Sequence, residues 1–223
     1  MSIPVVNLAD FLSGDPQLKQ AFVNQLGKAY EEVGFVAVKN HGIPDDLIAD
    51  LYKFVQQFFS LPIDVKKKYE IAGLAGQRGY TSFGKEHAKG SDAPDLKKFF
   101  QYGQMVEDND PVKSEYPDNV KVNEVATFNA TFEKAYRAFE RSGRALLQAI
   151  ALYLNLDEHY FDNHIHNGNS ILRAIHYPPI TREPKSAIRA EQHEDINLIT
   201  LLVGASADGL QILTKQNEWV GVT

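Results

Sequence analysis

Residues 191–213 read EQHEDINLITLLVGASADGLQIL, and the rest of the chain is organised around this stretch. His193 and Asp195 stand two positions apart, just before an apolar run at 196–203 that is rich in β-branched residues. Such residues favour strands, and in a strand the side chains of residues i and i+2 leave the same face. The sequence therefore predicts a strand that directs an imidazole and a carboxylate toward one point.

This pair supplies two of the three donors in the arrangement of two histidines and one carboxylate that holds non-haem Fe(II). In that arrangement the metal keeps open positions for oxygen and a cosubstrate. A His-x-Asp pair alone is common by chance, because most such pairs are solvated loop ends. The metal interpretation therefore depends on the motifs around it.

Composition excludes several other classes of protein. The 223 residues include no cysteine, which excludes disulfides, thiolate metal sites and cysteine nucleophiles. The net charge of −6 argues against nucleic acid as a partner, because no basic stripe is available to neutralise phosphates. The only run of three positive charges, 66–68, is expected on a solvated helix face. No apolar run is long enough for a membrane span and no secretory signal is visible, so we expect no membrane partner and a cytoplasmic location.

Hydrophobic spacing predicts one α+β domain over residues 1–223. A region of helices and short strands covers about 1–120, with a helix that begins near Asp15-Pro16 and ends at Gly34. A compact buried strand is expected at 35–38. A long scaffold helix is expected over about 122–154, and strands are concentrated in about 170–223.

Other candidate residues lie outside the opening stretch. Arg78 and Tyr80, in a glycine-rich segment, are interpreted as substrate contacts, with a packed loop as the alternative. His41 is interpreted as a structural hydrogen-bonding residue in a turn. The cluster at 162–166, which contains an aspartate and two histidines, is interpreted as a surface turn.

The order of motifs resembles that of a known family. The segments are IPVVNL (3–8), GFVAVKNHGIP (34–44), RGYTSFG (78–84), DLKKFF (95–100), LRAIHYPP (172–179), HEDINLITLLVG (193–204), GLQIL (209–213) and NEWVGV (217–222). Together they resemble the isopenicillin N synthase-like family of non-haem Fe(II)/2-oxoglutarate-dependent oxygenases. The agreement extends over essentially the whole sequence, and several linked motifs make it specific.

The resemblance implies a distorted double-stranded β-helix, or jelly roll, supported by N-terminal helices and the long helix. It implies that His193 and Asp195 bind iron and that Tyr177 reaches a carboxylate of 2-oxoglutarate or of a substrate. The implied cofactors are Fe(II) and 2-oxoglutarate. The implied partners are O2 and a small organic substrate whose unactivated C–H bond is oxidised, while no oligomeric state is implied.

The sequence also departs from the family pattern. In the family, the second histidine ligand and an Arg-x-Ser pair that holds 2-oxoglutarate lie further along than Thr223, whereas His193 is the last histidine in this sequence. We therefore expect two of three protein ligands and a jelly roll that lacks its C-terminal strands. Two alternatives stay open: an Fe(II) oxidase of the same fold that uses oxygen alone or with ascorbate, and a non-catalytic binding remnant of the fold.

Overall fold

The computed structural model describes residues 3–74, 76–85, 96–179, 192–195, 197–203 and 209–222. Within these residues the chain divides into two units, each of which has its own apolar core. The first unit comprises Met1–Ile43, Ala138–His166 and Ile199–Thr223, and the second comprises Pro44–Arg137 and Asn167–Leu198. The expectation of a single domain stays a prediction.

The described residues contain both helices and short, mostly antiparallel strands, so the α+β prediction is confirmed. In chain order the elements are β1 (Val5–Asn7), α1 (Leu8–Leu12), α2 (Pro16–Glu32), β2 (Ala37–Lys39), α3 (Asp45–Ser60), α4 (Ile63–Lys67), β3 (Gly79–Thr81), β4 (Lys98–Gly103), a short 3-10 helix (Lys113–Glu115), α5 (Phe128–Tyr153), α6 (Asp162–Ile165), β5 (Ile171–His176), β6 (Gln211–Leu213) and β7 (Trp219–Gly221). Among the helices described, none is long and apolar enough to cross a membrane.

The start and end of α2 follow local rules that the sequence displays. The Asp15 side chain accepts hydrogen bonds from the backbone amides of the first turn, and Pro16 occupies the first turn, where a missing amide hydrogen costs nothing. Gly34 follows the helix with a φ of +80°, a conformation in which a side chain would be strained. Both predicted ends of this helix are confirmed.

The first unit packs α1, α2 and the C-terminal part of α5 around one core. Its buried residues are Val6, Leu8, Phe11, Phe22, Val23, Leu26, Ala145, Leu146 and Ala149. Strands β1 and β2 pair in parallel, with Val5 opposite Ala37. The expectation of a buried strand at 35–38 is wrong in part, because the strand is Ala37–Lys39 and Phe35 is 46% exposed. A two-stranded sheet leaves much of its surface uncovered, so a run of apolar residues in the sequence does not by itself ensure that the strand is buried.

The second unit contains an antiparallel sheet in the order β3-β4-β5, packed on an aromatic core. Strand β4 is central, with Phe100 opposite both Tyr80 of β3 and Ala174 of β5. At the middle of the core, the ring centroid of Phe58 lies between 5.0 and 5.9 Å from those of five other rings: Phe59, Tyr69, Tyr80, Phe100 and Phe128. Aromatic pairs at such separations contribute about 0.5–1.5 kcal/mol each beyond burial, so this cluster holds the sheet to α3 and α5.

The long helix begins later than its apolar pattern predicts. It starts at Phe128, not Val122, although Val122 and Val125 are buried at 2% and 5% exposure. The side chain of Asn129 accepts from the Val122 amide at 2.9 Å and donates to the Val122 carbonyl at 2.8 Å. An asparagine side chain that satisfies backbone groups competes with helix formation, which explains the shorter helix.

The apolar run after Asp195 does not form the predicted strand in the part that the structure describes. Residues 197–203 carry no strand, and Leu198 and Leu202 are 59% and 67% exposed. Strand propensity reflects packing against neighbours more than an intrinsic backbone preference, and these two side chains are not packed. Further along, β6 and β7 form an antiparallel hairpin with Leu213 opposite Trp219. The jelly roll itself stays a prediction.

Candidate metal and cosubstrate site

His193 and Asp195 lie close together in the second unit. The Nε2 atom of His193 is 3.8 Å from Oδ1 of Asp195, and the two side chains are 57% and 49% exposed. The two groups therefore lie close together, and about half of each side chain is exposed.

The spacing of these two atoms fits a shared divalent metal ion. First-row metals bind imidazole nitrogen and carboxylate oxygen at about 2.0–2.2 Å, so two donors of one ion can be no more than about 4.4 Å apart. The observed 3.8 Å meets that limit, and the two side chains would close by about 0.8 Å to occupy adjacent positions of an octahedral ion, which lie about 3 Å apart. The described part of the chain holds no group of three or more His, Asp or Glu side chains placed to bind a metal. The fit therefore covers two donors of a facial triad.

Tyr177 directly follows the last residue of β5. Six register pairs with β4, from Lys98–His176 to Gly103–Ile171, fix the strand that carries it. The Tyr177 residue is 40% exposed, which leaves part of its surface accessible. The two prolines that follow cannot donate to a sheet ladder, so the strand does not continue past this point. A hydroxyl on such a rigid element is suited to hold a carboxylate in a fixed position.

Arg78 and Tyr80 lie in the core of the second unit at 0% and 1% exposure. The guanidinium of Arg78 donates from Nη1 to the Gln77 carbonyl at 2.8 Å and from Nη2 to Asn169 Oδ1 at 3.2 Å. Burial lowers the pKa of Arg78, an effect opposed by the nearby Tyr136 and Tyr116. These placements favour the packed alternative, and substrate contact by either residue stays a prediction.

The remaining histidines of the sequence analysis have structural surroundings. His41 Nδ1 accepts from the Ile43 amide at 3.2 Å, as expected for a turn residue. The segment predicted as a surface turn contains the short helix α6, in which Asp162 contacts His159 Nδ1 at 3.0 Å. His164 stacks on Tyr160, with ring centroids 5.3 Å apart. Neither group gathers the donors that a metal site requires.

One group of basic side chains was missed by sequence reasoning. The expectation that 66–68 forms a solvated face is wrong for Lys66, which is 6% exposed and donates from Nζ to the Phe59 carbonyl at 2.7 Å. Lys98 and His176 lie beside the same phenylalanine. No local spacing could have revealed this group, because the pairing of β4 with β5 brings its members together.

Comparison with known proteins decides the family. A family model described as the N-terminal region of the non-haem dioxygenase in morphine synthesis matches residues 3–124. Proline hydroxylase buaE of Petromyces alliaceus is 31% identical over 221 residues, which is 95% of this chain and 67% of that protein. This chain belongs to the isopenicillin N synthase-like family of non-haem Fe(II)/2-oxoglutarate-dependent oxygenases. It is thus a member of a family of enzymes, and it spans about two thirds of the length of that relative.

Further members of this oxygenase family resemble the chain in sequence and structure. The 2-oxoglutarate-dependent dioxygenase frbA of Dothideomycetidae sp. is 28% identical, covering 99% of this chain and 68% of that protein. A 2OG-Fe(II) oxygenase family protein from Caulobacter crescentus superposes with a TM-score of 0.85 at 34% identity, over 99% of this chain and 70% of that one. A full-length Neurospora crassa protein, solved in complex with α-ketoglutarate and thymine, gives a TM-score of 0.83 at 26% identity, over 98% and 70% of the two chains. These names give no support to the two alternatives in the sequence analysis.

Proposed function

We propose that the protein is an Fe(II)- and 2-oxoglutarate-dependent oxygenase that oxidises an unactivated C–H bond of a small organic substrate. In this proposal, His193 and Asp195 are two of the protein ligands of iron, and Tyr177 contacts a carboxylate of 2-oxoglutarate. The observation that carries the proposal is the 3.8 Å separation of His193 Nε2 and Asp195 Oδ1 within the motif order of the family.

Each residue has a defined task in this reaction. Bound Fe(II), together with O2 and 2-oxoglutarate, supplies the oxidising power that side chains lack. His193 offers an imidazole nitrogen and Asp195 a carboxylate oxygen, both in their deprotonated forms. Tyr177 donates its phenolic hydrogen to a carboxylate and so orients the cosubstrate, and β5 holds the tyrosine in place through its pairing with β4. Orientation of this kind lowers the entropic part of the barrier.

The finer details of the fold belong to the same proposal. We assign a distorted jelly roll supported by the long helix to this chain, and the similarity to solved oxygenase structures supports this assignment. The names of relatives also support a small-molecule substrate, since one is a proline hydroxylase and another was solved with thymine. Pocket residues change with the substrate in related folds, so the proposal specifies a reaction class and not a compound.

Anaerobic titration with Fe(II) tests the two ligands. We expect His193→Ala and Asp195→Ala each to weaken Fe(II) binding by at least about tenfold, because even residues that only support a metal ligand contribute that much. Glu194→Gln is the matched control: Glu194 lies between the two ligands and is also exposed, and its affinity should stay within about twofold of the parent protein. Equal Fe(II) affinity in all four proteins would end the assignment.

The same titration tests the cosubstrate. Addition of 2-oxoglutarate to the Fe(II)-loaded protein without oxygen should produce a metal-to-ligand charge-transfer band, because in this proposal the cosubstrate would be a ligand of the iron. A protein that binds Fe(II) tightly but develops no such band would keep the metal assignment and lose the 2-oxoglutarate assignment.

A further inference from the structure

Three basic side chains of the second unit surround Phe59, near the end of α3. Lys66 donates from Nζ to the Phe59 carbonyl at 2.7 Å, and Lys98 Nζ lies 5.6 Å from the centroid of the ring. His176 stacks on the same ring, with centroids 5.1 Å apart and an interplanar angle of 22°. Lys98 and His176 are also opposite one another in the pairing of β4 with β5.

The charges of this cluster repel one another. Lys66 and Lys98 both approach Phe59, and like charges that are partly withdrawn from water destabilise each other. Burial, followed by the charge of Lys66, lowers the pKa of Lys98. Burial, followed by the charges of Lys98 and Lys66, lowers the pKa of His176. A bound negative group would remove this repulsion.

The cluster also has unused hydrogen-bonding capacity. An ammonium group has three N–H donors, and the one hydrogen bond described for Lys66 goes to Phe59. His176 Nδ1 is buried and has no hydrogen-bond partner. None of the ion pairs found in the described ranges includes a member of the cluster. A buried polar group without a partner calls for an explanation, and an ion bound at that place is one.

We propose that Lys66, Lys98 and His176 bind a small anion that carries carboxylate or phosphate oxygens. Hydrogen bonds from two ammonium groups to anionic oxygens are short and strong. His176 supplies a third donor when its proton is on Nδ1, and the anion then gives this buried atom the hydrogen-bond partner that it lacks. The site uses none of the residues assigned to iron or 2-oxoglutarate, so it is a second binding site on the same chain.

Calorimetric titration of the iron-free protein tests the site, with inorganic phosphate and succinate as probes and chloride used to hold ionic strength constant. We expect saturable binding of at least one probe. Lys98→Met should weaken that binding by at least about tenfold, because it removes a full charge next to the anion. Lys67→Met is the matched control: Lys67 belongs to the same helix as Lys66 but is exposed, and its affinity should change less than about twofold.

Each outcome decides a point. Binding of phosphate alone identifies a phosphate ligand, and binding of succinate alone identifies a carboxylate ligand. Absence of saturable binding by either probe, or equal weakening by Lys98→Met and Lys67→Met, overturns the proposal. Lys98→Arg keeps the charge and should bind the anion with an affinity within about threefold of that of the parent protein. This variant tests the proposal if Lys98→Met unfolds.

Discussion

A methyl group added at Gly103 should strike the buried guanidinium of Arg78. A Cβ at this position would lie 1.8 Å from Arg78 Cζ and 2.2 Å from both Nε and Nη1. Carbon atoms in contact are separated by about 3.5 Å, so the guanidinium must retreat by about 1.7 Å. Its hydrogen bonds to the Gln77 carbonyl and Asn169 Oδ1 oppose that movement. Gly103→Ala therefore requires either local strain or the loss of these bonds.

The destabilisation by Gly103→Ala is set by whichever costs less, local strain or the loss of the hydrogen bonds of Arg78. Overpacking a tight site costs about 1–3 kcal/mol, and each lost hydrogen bond to a charged group costs about 1.5–3 kcal/mol. Alanine lowers the entropy of the unfolded chain relative to glycine, which offsets about 0.4–1 kcal/mol. We expect Gly103→Ala to lower the free energy of unfolding by about 1–2 kcal/mol, as measured by urea denaturation.

A second strand glycine provides the control. A Cβ added at Gly221 meets no atom within 4 Å, so Gly221→Ala should be neutral or stabilising by up to about 1 kcal/mol. In an Arg78→Ala background, the cost of Gly103→Ala should fall below about 0.5 kcal/mol, because the two sites are coupled through direct contact. Similar stabilities for Gly103→Ala and Gly221→Ala, or equal costs in both backgrounds, would refute the close approach of Arg78 to β4.

Three further predictions concern the site and the core. Tyr177→Phe should raise the dissociation constant for 2-oxoglutarate by about ten- to a hundredfold, because a hydrogen bond to a charged group is lost. Isothermal titration calorimetry of the iron-loaded protein measures this constant. An unchanged dissociation constant would count against the contact of Tyr177 with the cosubstrate. Burial and two lysine charges lower the pKa of His176, so the folded state takes up this proton at lower pH than the unfolded chain does. The associated stability is present above pH of about 6.5 and is lost as pH falls through the pKa of His176 in the folded state. Denaturation in chloride buffers at several pH values should therefore show that the free energy of unfolding decreases less for His176→Gln than for the parent protein as pH is lowered. Phe58→Ala should lower the free energy of unfolding by about 3–5 kcal/mol, because Phe58 is 0% exposed. Phe83 is 48% exposed, and Phe83→Ala should change the free energy of unfolding by less than about 0.5 kcal/mol. Comparable losses in the two variants would contradict the central place of Phe58 in the core.

Features encoded within a few residues could be predicted from the sequence, and features that depend on distant partners could not. Asp15 and Gly34 delimit α2 through their own side-chain and backbone properties. The start of α5 was misplaced because the side chain of Asn129 binds the backbone of Val122 seven residues earlier. The burial of Arg78 depends on Asn169, which is 91 positions away. No spacing rule reports such a contact.

The candidate metal ligands and the basic cluster differ in the same way. His193 and Asp195 are two positions apart, and two extended residues span only about 7 Å. Their side chains can therefore meet whether or not the backbone forms a strand, which is why the 3.8 Å approach is found although the predicted strand is not. Lys98 and His176, by contrast, meet only through the register of β4 with β5. A shift of one residue in that register would turn His176 to the opposite face of the sheet and destroy the anion site, while His193 and Asp195 would keep their spacing. Loss of anion binding without loss of iron binding is thus the expected result of a change in β5.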